Sequence, residues 1–272
     1  MRFHFHPIIA SCALVVLISF SASWLDAVEI IAHRGASRDA PENTVASFML
    51  GWQQQADAGE LDIYLTKDRQ IVVIHDADTK RTTDTSGAVA TRTLAELRTL
   101  DAGSWKGPQW KGEKLPTLGE ALQTVPQGKR MFIEIKCGPA VLPVLEGVLQ
   151  ACGKKPEQLV LIGFNYATMA KAKQTFPDMA VYWLVSYEKD KRTGELPDLD
   201  ALVRKAKTAR FDGLDLDYKF SIDSAFVAKL KESGLPLYVW TVDDAAVAAR
   251  LVAAGVQGIT TNRPGWLREQ LK

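Results

Sequence analysis

Four histidines occur in this 272-residue chain, and two of them, His33 and His75, each close a short apolar run. The other two, His4 and His6, lie in an N-terminal leader. Imidazole is the side chain whose ordinary pKa lets it give and take a proton near neutrality. Glu60 and Asp62 stand two apart in ELDIYL, and Glu134 and Lys136 repeat that spacing in EIK. In a strand, a period of two puts both members of such a pair on one face. Three carboxylates facing one apolar interior repel one another and resist ionising unless a cation sits between them. Their oxygen donors suit one hard divalent cation, Ca2+ or Mg2+, better than zinc, which favours His and Cys. Arg34, beside His33, and Lys136 add a bidentate fork and a point charge for an anionic oxygen. Each feature alone has a plainer explanation: a hydrogen-bonded core histidine, a buried ion pair, carboxylates facing water. What favours a site is their delivery to one rim by successive elements.

Those elements follow from the hydrophobic pattern. Short apolar runs predict strands over 29–33, 60–66, 131–136, 159–164, 181–186, 213–217, 237–242 and 258–261. Amphipathic segments predict helices over 44–55, 117–124, 139–150, 167–176, 199–209, 223–233, 244–254 and 264–272. Eight alternations of strand and helix imply a closed parallel (β/α)8 TIM barrel, whose functional residues gather at the C-terminal ends of the strands. An open doubly wound sheet lacks support, because no Gly-rich phosphate loop follows the first strand. A further extended run over 71–75, joined to the second strand by Lys67 to Gln70, is expected to fold back as a hairpin arm and return His75 to the rim. The inserted excursion over 76–116 then shows one helix, 93–100, and reads as a lid or wall of the site.

The N-terminus carries its own message. Arg2, an apolar run over 8–20 and the small residues from Ser21 to Ala27 predict a cleaved signal peptide over 1–27, and so a periplasmic or secreted protein of residues 28–272. A helix of about 13 residues spans about 20 Å, too little for a hydrocarbon core of about 30 Å, so no stable membrane anchor is expected. At Cys12 the apolar segment follows the cysteine instead of preceding it, which argues against lipidation. The formal charge is +1, which gives no footprint for nucleic acid. Cys137 and Cys152 invite a disulfide in an oxidising compartment, but a helix over 139–150 would hold its ends about 16 to 20 Å apart, beyond the ~7 Å limit between bridged Cα atoms. Oligomeric state is not legible.

The motifs also carry a resemblance. HRG at 33–35, PENT at 41–44, ELDIYLTKD at 60–68, VVIHD at 72–76, RTT at 81–83, EIK at 134–136 and VWTVD at 239–243 resemble, in order, the glycerophosphodiester phosphodiesterase family. The resemblance implies a metal-dependent barrel enzyme that cleaves glycerophosphodiesters, such as glycerophosphocholine, into sn-glycerol 3-phosphate and an alcohol. It assigns His33 and His75 to proton transfer and Glu60, Asp62 and Glu134 to the metal. Glu42 becomes a contact for metal or glycerol, although an acid in the first turn of a helix is also favoured by the helix dipole. Trp240 becomes an aromatic wall of the substrate site, if it shares the interior face with Tyr238. Asp215 and Asp217 share one face of the sixth barrel strand and suit either a substrate hydrogen bond or an ion pair. Relatives often carry Gly where Arg69 stands, which suggests a different turn before His75. Two other functions stay open: a phospholipase D-like lyase that makes a cyclic phosphate from lysophospholipid or sphingolipid, and a non-catalytic binding barrel. The second has no need of an acid/base pair.

Overall fold

The computed structural model describes Met1 and residues 28–272, so the leader with His4, His6 and Cys12 lies outside the described residues. Among these residues the strands are β1 (Glu29–Ala32), β2 (Ala58–Leu65), β3 (Ile71–Val73), β4 (Arg130–Ile135), β5 (Leu159–Gly163), β6 (Ala180–Val185), β7 (Gly213–Asp217), β8 (Leu237–Trp240) and β9 (Gly258–Thr261). β1 pairs in parallel with both β2 and β9, so the ring β1-β2-β4-β5-β6-β7-β8-β9 closes into an eight-stranded parallel barrel. β3 lies antiparallel outside β2, with Ile63 opposite Val73. Eight parallel strands with helices packed outside them form the expected TIM barrel.

Two apolar layers account for this closure. Ile31, Ala58, Phe132, Val160, Ile162, Tyr182, Leu184 and Tyr238 fill the barrel interior. The alternate residues, including Leu61, Ile133, Leu161, Leu216 and Val239, pack outward against the helices. Both faces of each strand are therefore buried, which is why the strands read as near-continuous apolar runs. Thr44, Asn165, Asp198, Asp223 and Asp244 each accept a backbone N–H in the first turn of the helix they precede, stopping the chain from extending the strand-side loop.

Two sequence expectations change in detail. The helix expected over 93–100 is one turn, Leu94–Leu97, with a Thr93–Glu96 capping box. It ends early because the Asp101 carboxylate accepts from the backbone N–H groups of Gly103, Ser104 and Gly112, at 2.8 to 3.0 Å, and folds the chain back. The turn before β3 is not of a different kind: Arg69 adopts φ 58°, the left-handed region that glycine fills at no steric cost, while Thr66 N–H donates to Gln70 O at 2.9 Å. The hairpin arm thus forms with an ordinary residue held in a glycine conformation.

The excursion has its own small core of Val89, Leu97, Leu100, Ala102 and Leu115 against Val72 and Ile74. Cys137 and Cys152 are both free thiols, on either side of the helix Leu142–Ala151. Among the described residues no helix is long and apolar enough to cross a membrane.

Candidate active site

The site begins at a backbone kink after β1. Arg34 takes φ 55° and Gly35 φ 80°, and a Cβ on Gly35 would come within 2.4 Å of the Ser47 backbone. Only glycine fits there, so the chain can turn against the first helix and leave His33 and Arg34 facing the barrel mouth. The turned Arg34 N–H donates to Glu60 Oε2 at 2.8 Å, and its side chain reaches Glu42 at 2.8 Å and Asp62 at 3.4 Å. Asn43, also left-handed at φ 60°, donates from its amide to Asp62 Oδ2 at 2.7 Å.

Glu60, Asp62 and Glu134, on β2 and β4, are all buried, and each offers an oxygen within 4.8 Å of the others. Burial and the two neighbouring carboxylates push Glu60 well above the usual carboxylate range. Burial and Asp62 likewise lift Glu134 to about 7, despite a 2.8 Å bond from Lys136 Nζ. Burial also opposes ionisation of Asp62, but Arg34, Lys136 and His75 together hold it below its ordinary value. Asp62 Oδ1 nevertheless has no hydrogen-bond partner. Three convergent carboxyl groups, two resisting ionisation for lack of positive charge and one with an orphaned oxygen, fit a hard divalent cation well.

The histidines are held differently. The Asn262 amide must donate from Nδ2 to the Asp243 carboxylate, at 2.6 Å, since a carboxylate only accepts. Asn262 Oδ1 is thereby turned to His33 Nδ1, 2.7 Å away, which fixes the proton on Nδ1 and the lone pair on Nε2. Burial, reinforced by Arg34, lowers His33 to about 4, so it stays neutral. His75 donates from Nδ1 to the Asp76 carboxylate at 2.6 Å, and Lys136 Nζ lies 3.1 Å from its Nε2. Burial lowers His75 too, with Arg34 and Lys136, against the pull of Asp62 and Asp76.

One cavity of about 120 Å³ is lined by His33, Arg34, Glu60, His75, Glu134 and Lys136 on its polar side. Ile162, Phe164, Leu184 and Trp240 form its apolar side, with Phe164 edge-on to Trp240 at 5.4 Å between ring centres. Trp240 and Tyr238 do share the interior face. Glu42 stands apart: its carboxylate is taken up by Arg34 and by Arg81, at 2.7 and 2.8 Å, so it braces a guanidinium instead of lining this cavity. The excursion does not line it either. Trp105 and Lys106 wall a neighbouring hollow with Arg38 and Asn262, and Arg81, which also bonds Asp76 at the start of the excursion, ties the excursion to Glu42. Sequence reasoning passed over Asn43, Asp243, Asn262 and Arg81. The first two and Arg81 lie within the motifs PENT, VWTVD and RTT, but Asn262 carries no local signal at all.

Comparison with known proteins agrees with this geometry. The profile of the glycerophosphoryl diester phosphodiesterase family matches residues 33–266. A glycerophosphodiester phosphodiesterase of Caldanaerobacter subterraneus is 34% identical over 86% of this chain and 94% of its own. One from Bacillus subtilis is 34% identical over 88% and 85%. An Oleispira antarctica phosphodiesterase, solved in complex with the product sn-glycerol-3-phosphate, superposes with a TM-score of 0.81 at 31% identity, over 89% of this chain and 96% of that one. By profile, identity and fold, the chain belongs to the glycerophosphoryl diester phosphodiesterase family.

Proposed function

We propose that the protein hydrolyses small glycerophosphodiesters, such as glycerophosphocholine, to sn-glycerol 3-phosphate and the head-group alcohol, with His33 and His75 as the proton-transfer pair. The observation that carries this reading is the single cavity on which both imidazoles, both cations, Glu60 and Glu134 converge, with Asp62 buried beside those two carboxyl groups. At about 120 Å³ it is smaller than the roughly 300–1,000 Å³ of drug-sized sites, which suits a glycerol phosphate better than an intact lipid.

His33, neutral and with its lone pair on Nε2, is the general base for the attacking oxygen, whether water or a glycerol hydroxyl. His75 in its protonated form is the general acid for the leaving alkoxide, giving its proton from Nε2, and the Asp76 carboxylate on Nδ1 favours that form against the burial that lowers it. Arg34 and Lys136 bind phosphoryl oxygens, Arg34 being aimed by Glu42 and Asp62. Trp240 and Phe164 exclude water from the apolar side. A divalent cation, Ca2+ or Mg2+, held by Glu60, Asp62 and Glu134 supplies positive charge to the phosphoryl group when bound. A coupled assay for glycerol 3-phosphate release is expected to report activity that a chelator abolishes and either cation restores. Full activity in a verified metal-free sample would remove the metal from this scheme, and phosphorus NMR showing a cyclic phosphate as end product would make the enzyme a lyase.

The leader supports export, with residues 28–272 acting as one catalytic unit in the periplasm or medium. N-terminal sequencing is expected to place the mature start between Ser23 and Val28. An intact Met1 terminus in washed membranes would overturn that.

A further inference from the structure

Asp215 stands on β7, opposite Leu184 of β6 and Tyr238 of β8, with its side chain on the wall of the catalytic cavity. It is 1% exposed, and its Oδ1 has no hydrogen-bond partner. Among the described residues no cation pairs with it. Its neighbours on the cavity wall are Ile162, Leu184 and Trp240, the one charged group acting on it is the like-charged Glu134, and the indole N–H of Trp240 donates to the Asp215 backbone oxygen at 3.1 Å, leaving the carboxyl untouched. Asp217 is a different case: it accepts from Lys219 N–H at 3.0 Å and fixes the loop after β7. A buried carboxyl without a partner costs stability, so its presence in an apolar wall asks for a ligand that completes it.

The chemistry of that ligand is restricted. Arg34 and Lys136, on the opposite polar side, claim the phosphoryl oxygens, and an ionised carboxylate would repel a phosphate. A hydroxyl donates to a carboxylate and exchanges donor and acceptor with a carboxylic acid, so it fits Asp215 in either protonation state. We propose that Asp215 is the glycerol-recognition residue of this enzyme, its side chain hydrogen-bonding a hydroxyl of the glycerol moiety and selecting against diesters that lack it. This rests on the glycerophosphodiester reading above and adds the group that reads the glycerol.

The test is a ligand–protein cycle by calorimetry on the metal-loaded enzyme. Three probes are compared: sn-glycerol 3-phosphate and two propanediol phosphates, each lacking one hydroxyl. Wild type is expected to bind one propanediol phosphate about 10- to 100-fold more weakly than the glycerol compound, the worth of one buried hydrogen bond to a polar group left unpaired. Asp215→Val is expected to shrink that ratio to within about threefold, mainly by weakening the glycerol compound. Because Val removes an unpaired buried carboxyl from an apolar wall, the variant is expected to fold and to melt at or above the wild-type temperature. Asp215→Asn, which keeps an acceptor and a donor, is expected to retain part of the discrimination. Equal affinity of wild type for all three probes overturns the proposal, as does a ratio unchanged in Asp215→Val. If wild type binds none of the phosphates and releases no glycerol 3-phosphate from glycerophosphocholine, the functional reading itself falls, and this inference with it.

Discussion

The two ends of the barrel handle buried charge in opposite ways. At the N-terminal end, Arg130 bonds both Glu29 oxygens and reaches the Tyr238 hydroxyl at 2.6 Å, while that hydroxyl donates to Glu29 at 3.0 Å. Tyr182 stacks on Tyr238 at 5.1 Å, and Gly258 leaves space for the Tyr238 ring, which a Cβ there would meet at 2.4 Å. That end is a closed plug in which every charge has its partner. At the C-terminal end, Glu60, Asp62 and Glu134 share only Arg34 and Lys136, Asp215 has no cation at all among the described residues, and orphaned oxygens remain on Asp62 and Asp215. The same apolar cylinder is thus stabilised at one end and held short of positive charge at the other. Unmet demand of this kind is how a fold keeps a site ready for ligand, at a cost in stability.

The contrast breaks most visibly at the histidines of the open end. His33→Ala and His75→Ala are each expected to lower turnover by roughly 10² to 10⁴ without loss of folding, measured as kcat with glycerophosphocholine. A nitrophenyl ester, whose leaving group needs no proton, is expected to rescue His75→Ala alone. Rescue of His33→Ala instead would exchange the two roles. Near-normal turnover in both variants would make the pair structural.

The closed end gives the complementary outcome. Arg130→Met leaves Glu29 partly buried without its partner and is expected to destabilise by about 2–3 kcal/mol in denaturant unfolding, less than a fully buried pair would show. Its kcat is expected to stay within about twofold of wild type, since the plug touches no substrate. A large fall in kcat with unchanged stability would dissolve the distinction between the two ends.

The smallest effect, and the one with opposite sign, lies in Glu134→Gln. Glu134 is raised from its ordinary 4.5 to about 7, so the stability it contributes is present below about pH 4.5 and is lost as pH rises to about 7. His33 runs the other way: lowered to about 4, it contributes stability above about pH 6.5 that is lost as pH falls to about 4. The variant leaves the His33 contribution in place, so the difference between variant and wild type isolates the carboxyl. In chelated protein Glu134→Gln is expected to be the more stable by on the order of 1–2 kcal/mol at pH 8, and by little at pH 5. Saturating divalent cation should reverse that order. A difference independent of pH would show that the trio is not short of positive charge.

Much of this was legible in the residue order. Period-two spacing in ELD and EIK put Glu60, Asp62 and Glu134 on inward faces, and the closing residues of apolar runs pointed to His33 and His75, because a strand's geometry is local and repeats. The helix 93–100 was overextended because the apolar period said nothing of the Asp101 carboxylate that turns the chain. Arg69 suggested a new turn because sequence reports preference, and the surrounding hairpin overrode it. Glu42 looked like a ligand because its two arginines, Arg34 and Arg81, lie 8 and 39 residues away.

By itself, the sequence determined the eightfold alternation, the inward faces and the inventory of groups, since these follow from side-chain period and polarity along one strand or helix at a time. Only the tertiary structure decided which charges are matched. Asn262, 229 residues from His33, sets its tautomer through Asp243; Arg130, 101 residues from Glu29, closes the far end; and Asp215 is left alone although the chain is almost electrically neutral overall. Pairing depends on distances of a few ångströms between strands remote in the chain, and such distances come into being only when the barrel closes.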